Sequence, residues 1–175
     1  MTDYKAIKLI VMDVDGTLTD GTVSIGAEGE TAKRFNIKDG LAINLLGRHG
    51  LDFMILTGRK SESVVRRAKE LNIRYVNQNI ADKLGFLKTF LEEHQLAPEN
   101  VAYIGDDLND YRVMQFAGFG AAPADAVREI QNIADYVSTE NGGHGAVREI
   151  LEHIMSKRGE WEDIIKEAYG VQEGK

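Results

Sequence analysis

Three aspartates directly follow an apolar run near the start of the chain, in the stretch LIVMDVDGTLTDG at 9–21. They are Asp13, Asp15 and Asp20. A buried carboxylate is costly unless a cation or hydrogen-bond donors meet it, so a positive charge is expected here. A hard divalent cation such as Mg²⁺ would supply that charge and keep Asp13 ionised, able to attack an electrophile. The stretch therefore predicts a metal site with a nucleophilic carboxylate.

Two more polar stretches follow apolar runs further along the chain. LTGR at 56–59 supplies a hydroxyl on Thr57 and a cation on Arg59. IGDDLND at 104–110 contributes three further carboxylates, those of Asp106, Asp107 and Asp110. One Asp-Gly pair alone would more simply be a turn. Two acidic strand ends together favour a metal site, and an all-oxygen ligand set without cysteine or histidine favours Mg²⁺.

The elements that must position these residues alternate between strand-like and helix-like patterns. Apolar runs predict strands at 8–14, 51–57, 74–78, 100–106, 118–122 and 134–138. Apolar spacing typical of helices occurs at 39–49, 61–72, 81–94, 108–117, 124–132 and 145–157. This alternation predicts an α/β fold, a Rossmann-like parallel sheet with helices on both faces. Ligands of such sheets bind beyond the carboxyl ends of the strands, where all three polar stretches would lie.

Two segments interrupt the alternation. At 21–35, Val23 and Ile25 alternate with other residues before the glycine-rich turn GAEG, which predicts a small β-hairpin inserted after the first strand. At 159–175, an amphipathic stretch that holds the only tryptophan is expected to form a C-terminal tail. Residues 1–158 are expected to form one domain.

Composition bounds the function as well as the fold. The chain has 175 residues, 43% of them hydrophobic, and a net charge of −7. This suits one globular domain with a sizeable core, and it argues against nucleic acid or an anionic membrane as the main partner. The chain has no cysteine, so disulfides and thiolate metal sites are excluded. The first apolar stretch is too short for a signal peptide, which predicts a cytoplasmic protein.

The motifs together carry a family resemblance. DVDGT, TGR, the lysine at 83 and GDDLND resemble the four motifs of the haloacid dehalogenase-like phosphatases. In order, DVDGTLTDG, FNIKDG, ILTGRK, DKL, YIGDDLND, PADA and GGHGAVREI resemble the small cap-less subfamily of 3-deoxy-D-manno-octulosonate 8-phosphate phosphatases, over about residues 7–155. The resemblance implies Mg²⁺-dependent hydrolysis of that sugar phosphate to the free sugar acid and phosphate, a step in lipopolysaccharide precursor synthesis.

The resemblance also implies a role for each motif residue. Asp13 would attack phosphorus and form an aspartyl-phosphate, and Asp15 would act as general acid and then as general base. The ligands of Mg²⁺ would be the Asp13 carboxylate, the Asp15 backbone carbonyl and Asp106. Two acids would lie beside the metal or reach it through water: Asp107 and Asp110. Phosphate would be bound by Thr57, Gly58 and Lys83.

Substrate recognition is expected from NIKDG and from two arginines. The implied positions are Asn36, Ile37, Lys38, Asp39, Gly40, Arg59 and Arg67. Arg59 and Arg67 are eight residues apart in a helix-like region, which places them on one face. A guanidinium at Arg59 could pair with the carboxylate of a sugar acid. The plainer interpretation of this region is a solvated basic helix.

The chain has no room for a separate cap domain. Only about forty residues separate Asp15 from Thr57, and they hold one hairpin and one helix. An open site would leave a reactive intermediate in water, so we expect a neighbouring subunit to close it. The subfamily resemblance implies a homotetramer whose hairpins associate. The paired glycines of GGHG predict a mobile loop, and this chain departs from many relatives at His144, where they carry Arg or Lys, and at Thr17, where the subfamily often has an apolar residue.

Other functions stay open at this point. Related enzymes act on nine-carbon, sialic-acid-type sugar phosphates, but in that branch an acidic residue tends to follow TG, where this chain has Arg59. A phosphoacceptor receiver domain also holds an acidic Mg²⁺ cluster, but it lacks an acid two residues after the phosphorylated aspartate. An assembly protein without activity would be expected to have lost motif residues, and none is lost here.

Overall fold

A computed structural model describes residues 2–27 and 29–171, without the side chains of Glu30 and Thr31. The strands found there are β1 (Leu9–Met12), β2 (Ser24–Gly26), β3 (Gly29–Ala32), β4 (Asp52–Leu56), β5 (Tyr75–Asn77), β6 (Val101–Ile104), β7 (Phe119–Ala122) and β8 (Tyr136–Val137). The predicted strands of the main sheet are all found, each shorter than expected.

Helices occupy the stretches between the strands. They are α1 (Ile37–Arg48), α2 (Glu62–Glu70), α3 (Lys83–Glu93), α4 (Tyr111–Phe116), α5 (Arg128–Gln131), α6 (Ala146–Arg158) and α7 (Trp161–Tyr169). Short 3-10 turns lie at Tyr4–Ala6, Pro98–Asn100 and Leu108–Asp110. Within the described residues, no helix combines the length and the apolar character that crossing a membrane requires.

The order of the strands creates a crevice at β1. The described residues form a six-stranded sheet in the order β5-β4-β1-β6-β7-β8, in which all neighbours are parallel. The chain builds outward from β1 to β5 on one side and then returns to add β6 on the other. Ligands of open α/β sheets bind at such a switch point, beyond the carboxyl ends of the strands. The predicted Rossmann-like fold without a separate cap is confirmed.

The core lies on both faces of the sheet, because alternate residues of each strand point to opposite sides. In β1, Ile10 and Met12 pack with helices α1, α2, α6 and α7, whereas Leu9 and Val11 pack with α3, α4 and α5. All four side chains are buried, as expected of a parallel strand covered on both faces. Burying one such side chain contributes about 1.5–3 kcal/mol, which makes β1 a rigid support for the aspartate that follows it.

The predicted hairpin is present as the antiparallel pair β2 and β3, outside the main sheet. Asp20 fixes its base: its Oδ1 accepts hydrogen bonds from Thr22 N at 3.0 Å and Thr22 Oγ1 at 2.5 Å, and Arg34 Nη2 lies 3.4 Å from its Oδ2. Asp20 is therefore a structural residue of the hairpin. The tip of the hairpin exposes Ile25, whose relative accessibility is 76%. Residue 28, within the predicted turn, lies outside the described residues.

The predicted C-terminal tail begins where α6 ends. Gly159 closes α6 with a φ of +75°, a conformation that favours glycine. Helix α7 then packs on the domain through Ile164, which is buried, and through Trp161, over which the Arg148 guanidinium lies at 5.0 Å. The described part of the tail is thus an ordered helix of the same fold. Residues 172–175 lie outside the described residues.

Candidate active site

The main acidic cluster forms at the carboxyl ends of β1 and β6. Asp13 follows β1 directly, and its backbone N–H donates to the Ile104 carbonyl at 3.0 Å, which extends the pairing of the two strands by one residue. Asp106 lies two residues beyond β6. Each of Asp13, Asp106 and Asp110 offers a carboxylate oxygen within 4.8 Å of the others. The structure thus brings together three of the predicted carboxylates.

Asp110 is the member of this cluster whose oxygens are already occupied. It is fully buried, and its Oδ1 accepts hydrogen bonds from Lys83 Nζ at 2.6 Å and from the Tyr103 hydroxyl at 2.5 Å. Its Oδ2 accepts from the backbone N–H groups of Asp106 and Asp107, at 3.0 and 3.4 Å. Asp110 therefore orients the lysine and the loop, which leaves Asp13 and Asp106 as the candidate carboxylate ligands for a metal.

Burial and neighbouring negative charge raise the pKa values of the two remaining carboxylates. Burial, together with the charge of Asp110, raises the pKa of Asp13 to about 6 although Lys83 opposes the shift. Burial and the charges of Asp13 and Asp110 raise the pKa of Asp106 to about 7. A divalent cation between them would remove this penalty, and hard oxygen ligands are those that Mg²⁺ prefers. The residues present therefore fit a magnesium site.

Lys83 is held as a buried cation at the start of α3. Asp82 caps this helix by accepting a hydrogen bond from Gly85 N at 2.9 Å, which sets the direction of the first turn. Lys83 Nζ lies 3.0 Å from Asp13 Oδ1 and 2.6 Å from Asp110 Oδ1. Burial lowers the pKa of Lys83, but the two carboxylates outweigh it and raise the pKa above its usual value. The lysine thus stays charged beside the candidate nucleophile.

The loop after β1 packs directly against Asp106. Gly16 has a φ of +94°, and a Cβ there would lie 2.0 Å from Asp106 Oδ2, so only glycine fits. The buried Thr17 donates its hydroxyl to Asp106 Oδ1 at 3.0 Å. In the sequence Thr17 is marked only by its departure from the subfamily, and no motif predicts this contact. The hydroxyl orients a candidate metal ligand and lowers its pKa.

The loop that contains GGHG lies against the same turn. A Cβ on Gly142 would come within 1.8 Å of the Gly16 carbonyl oxygen, and Gly143 N donates to the Thr17 carbonyl at 3.1 Å. The glycines therefore permit a close approach of two backbones, and the mobility expected of this loop stays a prediction. His144 is exposed, and its Nδ1 lies 2.8 Å from the Gly142 carbonyl oxygen.

Asp15 meets two cations, one of which sequence reasoning did not identify. Lys33 Nζ, from the arm that leaves β3, forms an ion pair and hydrogen bond with Asp15 Oδ1. Arg59 Nε lies 3.6 Å from Asp15 Oδ2. Helix α2 begins only at Glu62, so Arg59 lies in the preceding loop, and the predicted helical face shared with Arg67 is wrong. No motif in the sequence marks Lys33, because a lysine that follows a hairpin has no distinctive pattern.

Arg67 lies under the start of α1. Its Nη2 donates to the Asn36 carbonyl at 3.1 Å, its Nη1 lies 3.0 Å from Glu70 Oε2, and its guanidinium lies 5.9 Å from the centre of the Phe35 ring. A Cβ on Gly40 would be 2.2 Å from its Nη2, so glycine makes room for the arginine. These contacts are structural, and the role of Arg67 in substrate binding stays a prediction.

The rest of NIKDG builds the first turn of α1. Asn36 caps the helix by accepting from Lys38 N at 2.8 Å. The buried Asp39 accepts from Arg148 N at 2.8 Å, and burial raises its pKa to about 6. Ile37 and Lys38 are exposed. The substrate contacts expected of these residues stay predictions.

The predicted phosphate residues lie at the end of β4. Thr57 is buried, and its N–H donates to the Asn77 carbonyl at 3.0 Å while its Oγ1 accepts from Arg59 N at 3.4 Å. Gly58 is exposed in the same turn. Asp107 is also exposed and accepts a hydrogen bond from Leu108 N at 2.7 Å, so it shapes the loop after β6.

Comparisons with known proteins agree with this geometry. A family model for haloacid dehalogenase-like hydrolases matches residues 75–150. The 3-deoxy-D-manno-octulosonate 8-phosphate phosphatase KdsC of Salmonella typhi is 40% identical over 163 residues, which are 93% of this chain and 87% of that protein.

Two solved structures are similar over almost the whole chain. One is the 3-deoxy-D-manno-octulosonate 8-phosphate phosphatase of Moraxella catarrhalis in complex with magnesium ion, phosphate ion and a KDO molecule. It has a TM-score of 0.90 and 40% identity, and the match covers 94% of each chain. The other is a probable yrbi family phosphatase of Pseudomonas syringae, with a TM-score of 0.92 and 42% identity over 97% of this chain and 96% of that one.

Proposed function

Because the chain belongs to the 3-deoxy-D-manno-octulosonate 8-phosphate phosphatase family of haloacid dehalogenase-like hydrolases, we propose that it hydrolyses this sugar phosphate to the free sugar acid and phosphate. The observation that carries the proposal is the cluster of Asp13 and Asp106, whose carboxylate oxygens lie within 4.8 Å of one another, with Lys83 fixed beside it. The reaction would serve lipopolysaccharide precursor synthesis, as the resemblance implies.

Magnesium is part of the proposal. Asp13, Asp106 and the backbone carbonyl of Asp15 would hold the ion, and when bound it would supply positive charge for the carboxylates and for phosphate oxygens. Lys83 keeps a second, permanent positive charge at Asp13. Thr17 fixes Asp106 through its hydroxyl, so the carboxylate does not have to reorganise during the reaction.

The proposed reaction uses two groups of this chain: a nucleophile that attacks phosphorus and an acid–base group that exchanges protons with the leaving oxygen and with water. A carboxylate oxygen of Asp13 forms a bond to phosphorus as the bridging P–O bond breaks, and the leaving sugar oxygen takes a proton from Asp15. Asp15 then accepts a proton from water, whose oxygen attacks phosphorus as the bond to Asp13 breaks. General acid–base help of this kind typically contributes ~10²–10⁴-fold in rate. The remaining acceleration comes from nucleophilic attack within a fixed electrostatic environment.

Specificity for a sugar acid is assigned to Arg59. The residue is exposed beside Asp15, so its guanidinium can reach a substrate carboxylate while the phosphate lies at Asp13. A nine-carbon sugar acid phosphate has the same two groups at a different separation. It is therefore the alternative substrate that a direct assay has to separate.

The test is phosphate release from a panel of substrates with Mg²⁺ and with a chelator. The panel holds 3-deoxy-D-manno-octulosonate 8-phosphate, a nine-carbon sugar acid 9-phosphate, a neutral sugar phosphate and an aryl phosphate. We expect the highest kcat/KM for the octulosonate and no turnover with chelator. Highest activity on the nine-carbon substrate would favour the alternative, and no Mg²⁺-dependent release from any substrate would contradict the proposal.

A cytoplasmic location stays a prediction from the sequence.

We also propose that the protein works as a homotetramer in which a neighbouring subunit closes the site. Support comes from the hairpin, since an isolated two-stranded hairpin is marginal in water and this one exposes Ile25 at its tip. Ile25→Asp is expected to dissociate the oligomer and lower activity together, because it places a charge in the apolar contact. Light scattering with a matched assay checks this, and a fully active monomer would contradict it.

A further inference from the structure

Two consecutive basic residues connect the hairpin to the loop after β1. Lys33 pairs with Asp15 and Arg34 pairs with Asp20, so the arm that leaves β3 is tied to that loop at two points. The two pairs differ in exposure: the Lys33 side chain is 1% accessible, whereas the Arg34 side chain is 85% accessible. A lysine is rarely buried unless its charge is paired, so the burial of Lys33 points to a specific role at Asp15.

The two oxygens of Asp15 have different surroundings. Oδ1 is engaged by the Lys33 ammonium group. Oδ2 is buried and accepts no hydrogen bond from the described residues, and Arg59 Nε lies 3.6 Å away. Both oxygens therefore face a cation, and the hydrogen bond from Lys33 is the contact that fixes the carboxylate.

From this geometry we propose that Lys33 is a positioning residue for Asp15, which holds Oδ1 so that the carboxylate keeps the orientation in which it exchanges a proton with the leaving group and then with water. The inference rests on the proposed function, because it assigns a residue to the acid–base step of that reaction. A carboxylate without this contact could rotate out of that orientation. Lys33 thus fixes the direction of the Asp15 side chain.

The Asp15 carboxyl group takes part in both proton transfers. In the first step it gives its proton to the bridging oxygen as that oxygen leaves phosphorus and Asp13 bonds to phosphorus. In the second step the carboxylate takes a proton from water as the water oxygen bonds to phosphorus and Asp13 is released. Lys33 keeps its own protons throughout, since Oδ1 only accepts its hydrogen bond.

Leaving-group dependence separates positioning from a purely structural role. An alkoxide leaving group such as the sugar needs a proton in the transition state, whereas p-nitrophenolate leaves well without one. We therefore expect Lys33→Met to lower kcat/KM, which reports the step in which the leaving group departs, roughly tenfold to a hundredfold for the sugar phosphate and by less than about threefold for p-nitrophenyl phosphate. Lys33→Arg should restore part of kcat/KM for the sugar phosphate.

Arg34→Met is the matched control, because it removes the neighbouring cation of the same arm and the pair with Asp20. We expect it to leave kcat/KM for both substrates near the wild-type value. Circular dichroism and light scattering establish whether each variant keeps the fold and assembly of the wild type. If Lys33→Met fails to fold, the comparison is made with Lys33→Gln, which keeps a donor near Oδ1 without the charge.

The outcomes distinguish the inference from the function beneath it. Equal losses of kcat/KM on both substrates, or a loss in Arg34→Met as large as in Lys33→Met, would overturn the positioning role and leave Lys33 as an anchor of the hairpin. Wild-type protein without Mg²⁺-dependent phosphate release would instead contradict the proposed function itself.

Discussion

Two carboxylate sites in this molecule have opposite electrostatic character. At the cluster of Asp13 and Asp106, burial and mutual repulsion raise the pKa values to about 6 and about 7. At Glu149, in α6, burial acts in the same direction, but hydrogen bonds outweigh it and lower the pKa to about 2. The donors are the Tyr136 hydroxyl at 2.6 Å, the Ser138 hydroxyl at 2.9 Å, and the backbone N–H and hydroxyl of Thr139 at 3.0 and 2.8 Å.

The difference shows what makes a carboxylate structural or functional. The fold surrounds Glu149 with donors, so its charge is satisfied and it fastens β8 to the start of α6. The fold gives Asp13 one lysine and Asp106 one hydroxyl, so these carboxylates can still bind a cation or react with a substrate. Residue type alone does not separate the two cases, because both sites lie in family motifs.

The largest effect should come from Asp13→Asn. The change removes the nucleophile and a metal ligand together, so we expect a loss of turnover of roughly 10³-fold or more, measured as phosphate release with saturating Mg²⁺. The metal-free variant should be at least as stable as the wild type, because a repulsive buried charge is gone. Activity above a few per cent of the wild type would mean that another group attacks phosphorus.

Glu149→Gln should act on stability and leave the chemistry intact. The amide cannot accept at both ends, so a donor of Thr139 or Ser138 loses its partner, at a cost of about 1–3 kcal/mol in the free energy of unfolding. Denaturant unfolding at pH 7 measures this. Glu152→Gln is the control, since Glu152 pairs with Arg148 on a partly exposed face of the same helix, where such pairs contribute about 0.3–0.5 kcal/mol. Equal effects would mean that the hydrogen bonds of Glu149 contribute nothing special.

The pH dependence of stability should have opposite signs at the two sites. Glu149 has a lowered pKa when folded, so its contribution is present above its ordinary value of 4.5 and is lost as the pH falls toward 2. Asp106 has a raised pKa, so the metal-free protein loses stability as the pH rises from about 4 to about 7.

Thermal unfolding with a chelator tests this smaller effect by comparing Asp106→Asn with the wild type at each pH. The advantage of the variant should be near zero at pH 4 and reach a few degrees in Tm at pH 8. An advantage that does not depend on pH would show that Asp106 is not under electrostatic strain.

Most of the fold could be predicted from the sequence because its signals are local. Apolar runs marked the strands, and the acids at 13, 106 and 110 could be placed in one crevice once the sheet was taken as parallel. The pairing of Lys33 with Asp15 could not be predicted, since it depends on how the hairpin folds back. The same holds for Arg67, whose partner Asn36 lies thirty-one residues earlier in the chain. Contacts between distant segments, with no motif of their own, were the ones missed.

The central claim is that Asp13 and Asp106 form the binding site for one divalent cation, and proton release on metal binding tests it most directly. Mg²⁺ is titrated calorimetrically into metal-free protein at pH 6.5, in two buffers of different ionisation enthalpy, to count the protons released. With pKa values of about 6 and about 7, we predict the release of about one proton per Mg²⁺ bound, falling toward zero at pH 8.5. Binding at pH 6.5 without proton release, or no binding by the wild type, would contradict the account.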